Sequence, residues 1–340
     1  MRSTWFLAPR TQWSWAMALL NDMQPHTTPA PPEHFGRLPA MSSAAALATF
    51  VPRVLAFVAL QHAVHRAWRP LPLPAAVLYW SVAYQVCVGH AATLLLRMGA
   101  KWGFFDGARP RDKVPDLMTT KIAAGILWSC VVRIALGALF LYDAAAPVRV
   151  SLAAPLHLFV FAMALDLCFY TYHRSCHEVD SLWAIHKTHH LTKHPSPALG
   201  LLADPGQEFL EVILCPTLAT LATKRLFPAS FGFYEWALCI ICINIMEVLG
   251  HSGVRAHLPA FATGWVFGVL LPRAVLTIEQ HDLHHREGWR RSTNYGKQSL
   301  FWDWLFGTLG ERREGRDDNV DWSLGLWDAV PAGHTTPPSA

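Results

Sequence analysis

The feature that most constrains the fold is a series of long apolar runs separated by short polar connections. Four of them precede the first histidine-rich segment, at Ala44–Val64, Ala75–Leu96, Ile122–Leu141 and Leu152–Tyr172. Each is close to the ~20 residues that a helix needs to cross ~30 Å of hydrocarbon. The sequence therefore predicts an all-α integral membrane bundle with about four spanning helices.

Composition supports a membrane protein. Hydrophobic residues make up 52% of the chain and charged residues only 15%, whereas soluble domains carry roughly 25% charged residues. The 15 tryptophans fit the same class, since tryptophan is enriched at membrane interfaces. A net charge of +4 is too small to indicate nucleic acid as a partner. The Cys239 and Cys242 pair lies in an apolar run, so we predict packing rather than redox or metal roles.

Three further apolar runs follow the first histidine cluster, at Phe209–Phe227, Phe231–Leu249 and Gly264–Ile278. Basic residues concentrate in the loop 97–121, which predicts a cytosolic location for that loop. We expect the histidine clusters and the C-terminus on the same side. Residues 209–249 must then form a hairpin that dips into the membrane and returns.

Histidines recur at helical spacing in three boxes. The first is HRSCH at 173–177, the second is HKTHH at 186–190, and the third is HDLHH at 281–285. In a helix, residues i and i+4 lie on one face with i+3 beside them. The HxxxH spacing therefore places His173 and His177 on one face, and each HxxHH spacing places three histidines on an arc of about 100°.

This arrangement predicts a metal centre. Neutral imidazole suits zinc, iron, copper and nickel, and one zinc ion takes three or four protein ligands. Eight imidazoles without a thiolate cluster therefore favour two metal ions. A single HxxxH is commonly a solvated or pH-sensing pair, but three boxes on one predicted side of a membrane favour metal binding.

The boxes resemble those of the fatty acid hydroxylase and sterol desaturase superfamily of membrane proteins. The resemblance extends to EVLGHSG, which ends two residues after His251, and to NYGKQSLFWDWLFGT at 294–308, and it covers about Leu152 to Leu309. It implies two iron ions (Fe2+/Fe3+) at histidines that are both metal ligands and catalytic residues. The implied ligands are His173, His177, His186, His189, His190, His281, His284 and His285, with His251 as a further metal ligand.

The sequence departs from the family pattern after the second box. Family members often carry His-Pro where this chain has Asp204 and Pro205. An aspartate can bind a metal or hold a ligand histidine, so the metal shell there can differ. His194 and His257 are additional candidate ligands.

The resemblance implies an oxidoreductase that uses O2 to attack a lipid C–H bond. Zinc has no redox chemistry, so iron is expected. Hydroxylation and desaturation both remain open, as do sterol, fatty acyl and related lipid substrates taken from the bilayer. The chain lacks the His-Pro-Gly-Gly segment of a cytochrome b5-type domain. Electrons should therefore come from a separate donor such as cytochrome b5 and a reductase.

Two alternatives belong to other functional classes. One is a catalytically inactive metal-binding relative, and the other is a metal carrier or transporter, which would need polar residues inside several spans. We expect the endoplasmic reticulum membrane if the source is eukaryotic. The predicted organisation is a poorly ordered N-terminal tail (1–43), N-terminal transmembrane helices (44–150), a fatty acid hydroxylase-like catalytic domain (151–310) and a polar C-terminal tail (311–340).

Three sites outside the ligand set carry specific expectations. Asp166 lies within a predicted span, where an ionisable residue indicates function. It would either make a helix–helix hydrogen bond or hold a ligand histidine. Asp282 is expected to cap a helix or contact solvent rather than bind metal. The Asn294–Gly296 segment is expected to be a turn that seats the C-terminal segment beneath the metal site.

Overall fold

The computed structural model describes residues 2–25, 36–107 and 109–329, most of them helical. The α-helices are α1 Trp15–Asn21, α2 Ser43–Ala67, α3 Leu73–Trp102, α4 Thr119–Leu141, α5 Ala154–Glu178, α6 Asp180–His186, α7 Pro205–Glu208, α8 Cys215–Leu226, α9 Phe233–Gly250, α10 Phe261–Leu270, α11 Ile278–Glu287 and α12 Phe301–Leu305. A π-helix, Phe209–Leu214, joins α7 to α8. The 3₁₀ turns are Trp5–Leu7, Arg10–Gln12, Asp116–Met118, His189–Leu191, Pro197–Leu201, Pro272–Ala274 and Asp317–Asn319, and the strands are β1 Leu38–Ala40 and β2 Val320–Gly325.

Four helices are long and apolar enough to cross a membrane, which confirms the predicted all-α membrane bundle. They are Ser43–Ala67, Asp116–Leu141, Ala154–Glu178 and Phe233–Gly250. The four differ from the predicted set in one member, since α3 is replaced by α9. The α3 helix is the longest, at 30 residues, but its tyrosines, tryptophan, glutamine and histidine lower its hydropathy.

Helix α9 forms the centre of the bundle. Of its most apolar 18-residue window, 89% is buried inside the protein, and α2, α3, α4 and α5 all contact it. A helix that is apolar on every face is stable only when other elements surround it. Cys239 and Cys242 are buried, unpaired thiols within this core, as their apolar surroundings predicted.

Residues 205–250 form an out-and-back pair of helices. The pair starts beside the second box, where Asp204 accepts a hydrogen bond from the Thr188 hydroxyl. At the far end, Phe227 and Phe231 pack against His157 near the start of α5. Helix α9 then returns to the histidines and ends at Gly250. The hairpin thus leaves the histidine region and comes back to it.

The predicted run Gly264–Ile278 is not one helix. Helix α10 has only ten residues, about 15 Å at 1.5 Å per residue, which is half of the hydrocarbon thickness. The Pro272–Ala274 turn follows, and Ile278 already begins α11. Thr277 and Gln280 form a capping box that starts α11, the helix that carries the third histidine box.

The N-terminal region is ordered in its described parts, contrary to the predicted tail. Trp5 and Leu20 are buried, and the Trp5 indole donates a hydrogen bond to the Val114 carbonyl. Asp116 accepts hydrogen bonds from the backbone N–H groups of Thr4 and Trp5. The composition was misleading because the Trp and Leu residues between the polar ones supply enough apolar surface to dock on α4. The Pro-rich stretch 26–35 lies outside the described residues.

The predicted polar C-terminal tail is also partly folded. Strand β2 pairs in parallel with β1, and Glu279 of α11 accepts hydrogen bonds from the backbone N–H groups of Arg313, Glu314 and Gly315. This segment therefore packs beside the third histidine box. Residues 330–340 lie outside the described part of the chain.

Candidate metal centre

The histidines of all three boxes converge into two buried groups. In each group, one potential ligand atom per residue lies within 4.8 Å of those of the others. The first group is His173, His177, His186, His190 and His284, and the second is His189, His251 and His285. Eight of the nine histidines predicted as metal ligands therefore come together in these two groups.

His281, the ninth predicted ligand, belongs to neither group but lies against the second. Its side chain is buried, and its Nε2 is 3.2 Å from Nε2 of His251. The His281 ring also packs against the His285 ring, with centroids 5.0 Å apart. His281 therefore belongs to the same histidine cluster as the proposed ligands.

Neighbouring histidines in the second and third boxes contribute to different groups. His190 belongs to the first group and His189 to the second, and His284 and His285 divide in the same way. Successive residues of a helical turn point about 100° apart. A double histidine therefore reaches two adjacent sites from one backbone position. The rings of His190 and His285 stack at 4.8 Å, so the two groups are in direct contact.

Backbone carbonyl groups orient five of the rings through Nδ1. The contacts are His173 to Tyr295 O (2.8 Å), His189 to Leu202 O (3.3 Å), His251 to Glu247 O (2.7 Å), His284 to Thr293 O (2.8 Å) and His285 to Thr192 O (3.1 Å). A carbonyl oxygen only accepts, so each of these Nδ1 atoms carries the proton. The Nε2 lone pair is then free to bind a metal.

The spacing of the Nε2 atoms fits a shared cation. Nε2 of His251 lies 3.3 Å from Nε2 of His189, and both rings place their proton on Nδ1. Two lone pairs at this distance repel and cannot form a hydrogen bond with each other. Nitrogen ligands about 2.0–2.1 Å from one ion are separated by roughly 2.9–3.4 Å. The donor set therefore fits a transition metal.

Several other ring nitrogens of the histidine cluster lack a hydrogen-bond partner. Nε2 of His173, both nitrogens of His177 and Nε2 of His285 are buried without a hydrogen bond among the described residues. A buried polar atom without a partner costs about 1–3 kcal/mol. Metal ions at these positions would remove that cost.

Burial keeps the imidazoles of the boxes neutral. Burial first, and neighbouring positive charge second, lowers the pKa of His251 to about 3. Burial likewise lowers the pKa of His284 to about 4. The pKa values of His186, His189 and His285 fall well below 6.5 for the same reason. At neutral pH the rings are therefore in the form that binds metals.

A C-terminal loop holds the first box in place. Asp166 accepts hydrogen bonds from the backbone N–H groups of residues 297–299 and from the Ser299 hydroxyl. Asp303 accepts hydrogen bonds from the backbone N–H groups of Tyr295 and Gly296. The Tyr295 carbonyl in turn receives the His173 Nδ1 proton. The turn expected at residues 294–296 thus seats the C-terminal segment beneath the histidines.

The role of Asp166 differs from both sequence-based expectations. It contacts neither another helix nor a ligand histidine directly, but a loop backbone that contacts His173. Asp166 is buried in α5 and accepts hydrogen bonds from three backbone N–H groups of that loop. Lys297, whose backbone N–H bonds Asp166, lies 131 residues further along the chain. No local sequence pattern therefore predicts this contact.

Asp282 is fully buried, so its expected cap or solvent role is wrong. Its carboxylate lies 2.6 Å from Nη1 of Arg111 and 3.0 Å from Nε of Arg286. Arg111 also donates two hydrogen bonds to the Pro195 carbonyl. The pair therefore ties the third box to the loop after the second. The basic loop 97–121 indicates topology, and no local pattern links its Arg111 to the third box.

A second buried charge cluster was missed. Nζ of Lys297 lies 3.0 Å from Glu247 and 3.6 Å from Glu211, and the Tyr172 hydroxyl donates a hydrogen bond to Glu211. Burial opposes the charge on Lys297, but the two carboxylates dominate and raise its pKa. The available signal was two glutamates inside apolar runs, since ionisable residues at such positions are usually functional.

The remaining ligand candidates lie outside both groups. Asp204 accepts the Thr188 hydroxyl proton and precedes α7. His194 lies 3.5 Å from Asp106. His257 packs against Trp322 and contacts Arg312. All three therefore have other partners in the protein.

A narrow cavity of about 90 Å³ adjoins the second group. Apolar side chains of α3, α4, α5 and α9 form most of its wall, and His251 contributes to one part of it. Glu211, Glu247 and Arg133 are the charged residues of the lining. Its volume is several times the ~10–15 Å³ that one water molecule needs, and its position brings whatever enters it to the histidines.

Comparison with known proteins places the histidines in a family context. Residues 158–308 match the profile of the family described as fatty acid hydroxylase. The chain is 36% identical over 260 residues to the fatty acid hydroxylase vlmA of Lecanicillium sp., and the alignment covers 69% of each chain. This chain belongs to the fatty acid hydroxylase family.

Other relatives of this fatty acid hydroxylase family member match over shorter regions. The very-long-chain aldehyde decarbonylase GL1-8 of Oryza sativa subsp. japonica is 31% identical over 159 residues, which cover 46% of this chain and 53% of the relative. The alkylglycerol monooxygenase of Danio rerio is 24% identical over 148 residues, 43% of this chain and 29% of the relative. No solved structure matches the chain.

Family, relatives and site agree on a coarse description. The family and its named members support a lipid-modifying oxidoreductase. The apolar helices and the two histidine groups support a multi-pass membrane protein with a metal-binding site.

Proposed function

We propose that this protein is a membrane-bound di-iron hydroxylase that uses O2 and external electrons to oxidise a C–H bond of a lipid. The observation that carries the proposal is the convergence of eight buried imidazoles into two touching groups. The similarity to vlmA favours hydroxylation. Desaturation, and the aldehyde chemistry named for the GL1-8 relative, are competing outcomes of the test.

The two groups would hold one iron ion each. His173, His177, His186, His190 and His284 would bind the first, and His189, His251 and His285 the second, with His281 beside it. When bound, iron supplies the reduction and activation of O2, which no side chain can carry out. Iron rather than zinc is required because zinc has no redox chemistry.

The residues of the chain orient the metal site and the substrate around it. Carbonyl groups fix the rings of five histidines, so that Nε2 of each faces inward. An apolar chain would occupy the cavity beside His251. We expect the lipid to enter from the bilayer, because α4, α5 and α9 are candidate spans and also line the cavity.

Electrons would come from a separate protein such as cytochrome b5 with its reductase, at the side of the molecule where the basic loop 97–121 packs. Arg109 of that loop is exposed. An acidic donor would be attracted to such a surface. In a eukaryotic host, the endoplasmic reticulum is the expected membrane.

The test combines metal analysis with lipid profiling. The full-length protein, purified in detergent, should contain iron and consume O2 with a reductant and a lipid extract, and mass spectrometry should show a lipid that has gained one oxygen.

We expect His190→Ala and His285→Ala to lose iron and to lower turnover at least ~100-fold, since each removes a proposed ligand. His257→Ala, outside both groups, is the matched control and should keep both. Full turnover in the two ligand variants would refute the assignment, and an alkene or a shortened chain as product would replace hydroxylation by another reaction.

A further inference from the structure

The cavity beside the histidines contains a cation that does not belong to the metal site. Arg133 lies in α4, a candidate span, and its side chain lines the cavity wall. It is only 9% exposed. A buried guanidinium in such a helix is costly unless its N–H groups find acceptors.

The protein itself leaves this guanidinium under-satisfied. Its two hydrogen bonds are long, 3.4 Å to the Tyr84 hydroxyl and 3.5 Å to the Glu211 backbone carbonyl. Its buried Nε–H has no hydrogen-bond partner in the described part of the chain. Arginine has five N–H donors in a planar fork, so most of its donor capacity is unused.

Carboxylates in the same wall point elsewhere. Glu211 and Glu247 both face Lys297, at 3.6 Å and 3.0 Å from its Nζ. Among the described residues, none forms an ion pair with Arg133 at comparable distance. A molecule in the cavity can therefore supply the acceptor that the Arg133 Nε–H lacks.

Apolar side chains line much of the cavity around Arg133. Leu165, Phe169, Ile240 and Val248 are among them. The polar Asn244 amide donates its N–H to the Ile240 carbonyl of its own helix. Such a wall accepts an apolar chain, and Arg133 is a cationic donor that a polar end of that chain can meet.

We propose that Arg133 binds the oxygen-bearing end of the lipid substrate, which makes the substrate an oxygenated long-chain lipid rather than a plain hydrocarbon. This deepens the proposed function and rests on it. Arg133 and His251 line the same cavity. Anchoring the oxygen at Arg133 therefore determines which carbon of the chain reaches the histidine groups, and Arg133 acts as a specificity residue.

Binding, measured without turnover, tests the proposal. The full-length protein in detergent is loaded with a fluorescent fatty acyl probe, which is then displaced by octadecan-1-ol, octadecanoic acid or octadecane. Wild type should bind at least one of the two oxygenated chains more tightly than octadecane, by roughly tenfold to a hundredfold. The better of the two identifies the acceptor as a hydroxyl or a carboxylate.

The variants separate an anchoring role from a structural one. Arg133→Met should abolish the preference for the oxygenated chain and leave octadecane binding unchanged, while Arg133→Lys should keep part of the preference. Arg53→Met is the matched control. Arg53 lies in the candidate spanning helix α2, donates a hydrogen bond to the Thr49 carbonyl of the same helix and is not part of the cavity wall. Iron content should be the same in all four proteins.

Two results would overturn the proposal. One is a wild type that binds octadecane as tightly as both oxygenated chains, and the other is an Arg133→Met variant that keeps the wild-type preference. If Arg133→Met fails to fold, Arg133→Lys decides. A preference for the oxygenated chain as unchanged in Arg133→Lys as in the control Arg53→Met would also contradict the anchor. Oxygenated-lipid binding through Arg133 without any lipid oxidation would instead refute the proposed function alone.

Discussion

At the residue scale, the chemistry of the site depends on where each imidazole points. His189 and His190 are adjacent in sequence yet belong to different groups, and so do His284 and His285. Spacing predicted the histidines but placed each HxxHH box on one arc. In five of the rings a hydrogen bond from Nδ1 to a backbone carbonyl sets the direction of Nε2.

The Arg111–Asp282 pair gives a prediction at this scale. Both side chains are almost completely buried, and breaking a buried pair by removing one partner costs about 3–5 kcal/mol. Arg111→Met should therefore lower the thermal unfolding midpoint strongly and reduce iron content. Adding Asp282→Asn to the same chain should recover part of the stability, because no unpaired carboxylate then remains.

Thermal unfolding in detergent, followed by tryptophan fluorescence, measures this effect. Arg174→Met is the control, since its pair with Glu178 is a partly exposed i,i+4 contact that contributes about 0.3–0.5 kcal/mol at most. Equal unfolding midpoints for Arg111→Met and Arg174→Met would show that the buried pair does not tie the boxes together.

At the element scale, loops rather than helices hold the site together. The second box begins at the end of α6 and continues in the 3₁₀ turn His189–Leu191, so its histidines do not share one regular helix. The 294–299 segment reaches both Asp166 and His173. These connections explain why a short loop motif such as Asn-Tyr-Gly lies next to the metal site.

Asp166 provides the prediction at the element scale. Asp166→Ala removes the acceptor of four hydrogen bonds from residues 297–299, and the loop that orients His173 should shift. Loss of such a support typically weakens metal binding about 10–100-fold. Iron titration of the metal-free protein should show this loss, with Asp166→Asn intermediate.

The matched control for that titration is Asp143→Ala, because the exposed Asp143 carboxylate accepts a local hydrogen bond from the Ala145 N–H after α4. Iron affinity in Asp166→Ala equal to that of Asp143→Ala would mean that the loop does not orient His173.

At the scale of the whole molecule, the bundle buries a set of neutral bases that only a metal can satisfy. The folded metal-free protein resists protonation, since the pKa values of His251 and His284 are lowered to about 3 and about 4. In the unfolded chain these groups take up protons near their ordinary value of 6.5. Stability should therefore fall as the pH drops below about 6.5, because the unfolded state then binds more protons.

Thermal unfolding of the chelator-treated protein across about pH 5–8 checks this expectation. The midpoint should decrease steadily on the acid side of about pH 6.5 and stay level above about pH 7.5. A chelator-treated protein with the same midpoint at about pH 5 and pH 7.5 would contradict the buried, neutral state of the boxes.

The sequence by itself determined the membrane class, the helical fold and the histidines that meet, because hydropathy and helical spacing are local properties of the chain. The family resemblance rested on the same local motifs. The N-terminal region shows the limit, since Trp5 and Leu20 dock on surface that composition alone does not reveal.

Only the tertiary structure decided how the histidines divide between two groups, and which distant residues hold them. Asp166, Asp282 and Lys297 find partners between about 50 and 171 residues away, and Arg133 faces a cavity built from several helices. Burial and long-range pairing depend on how helices pack against each other. No spacing within one segment encodes them.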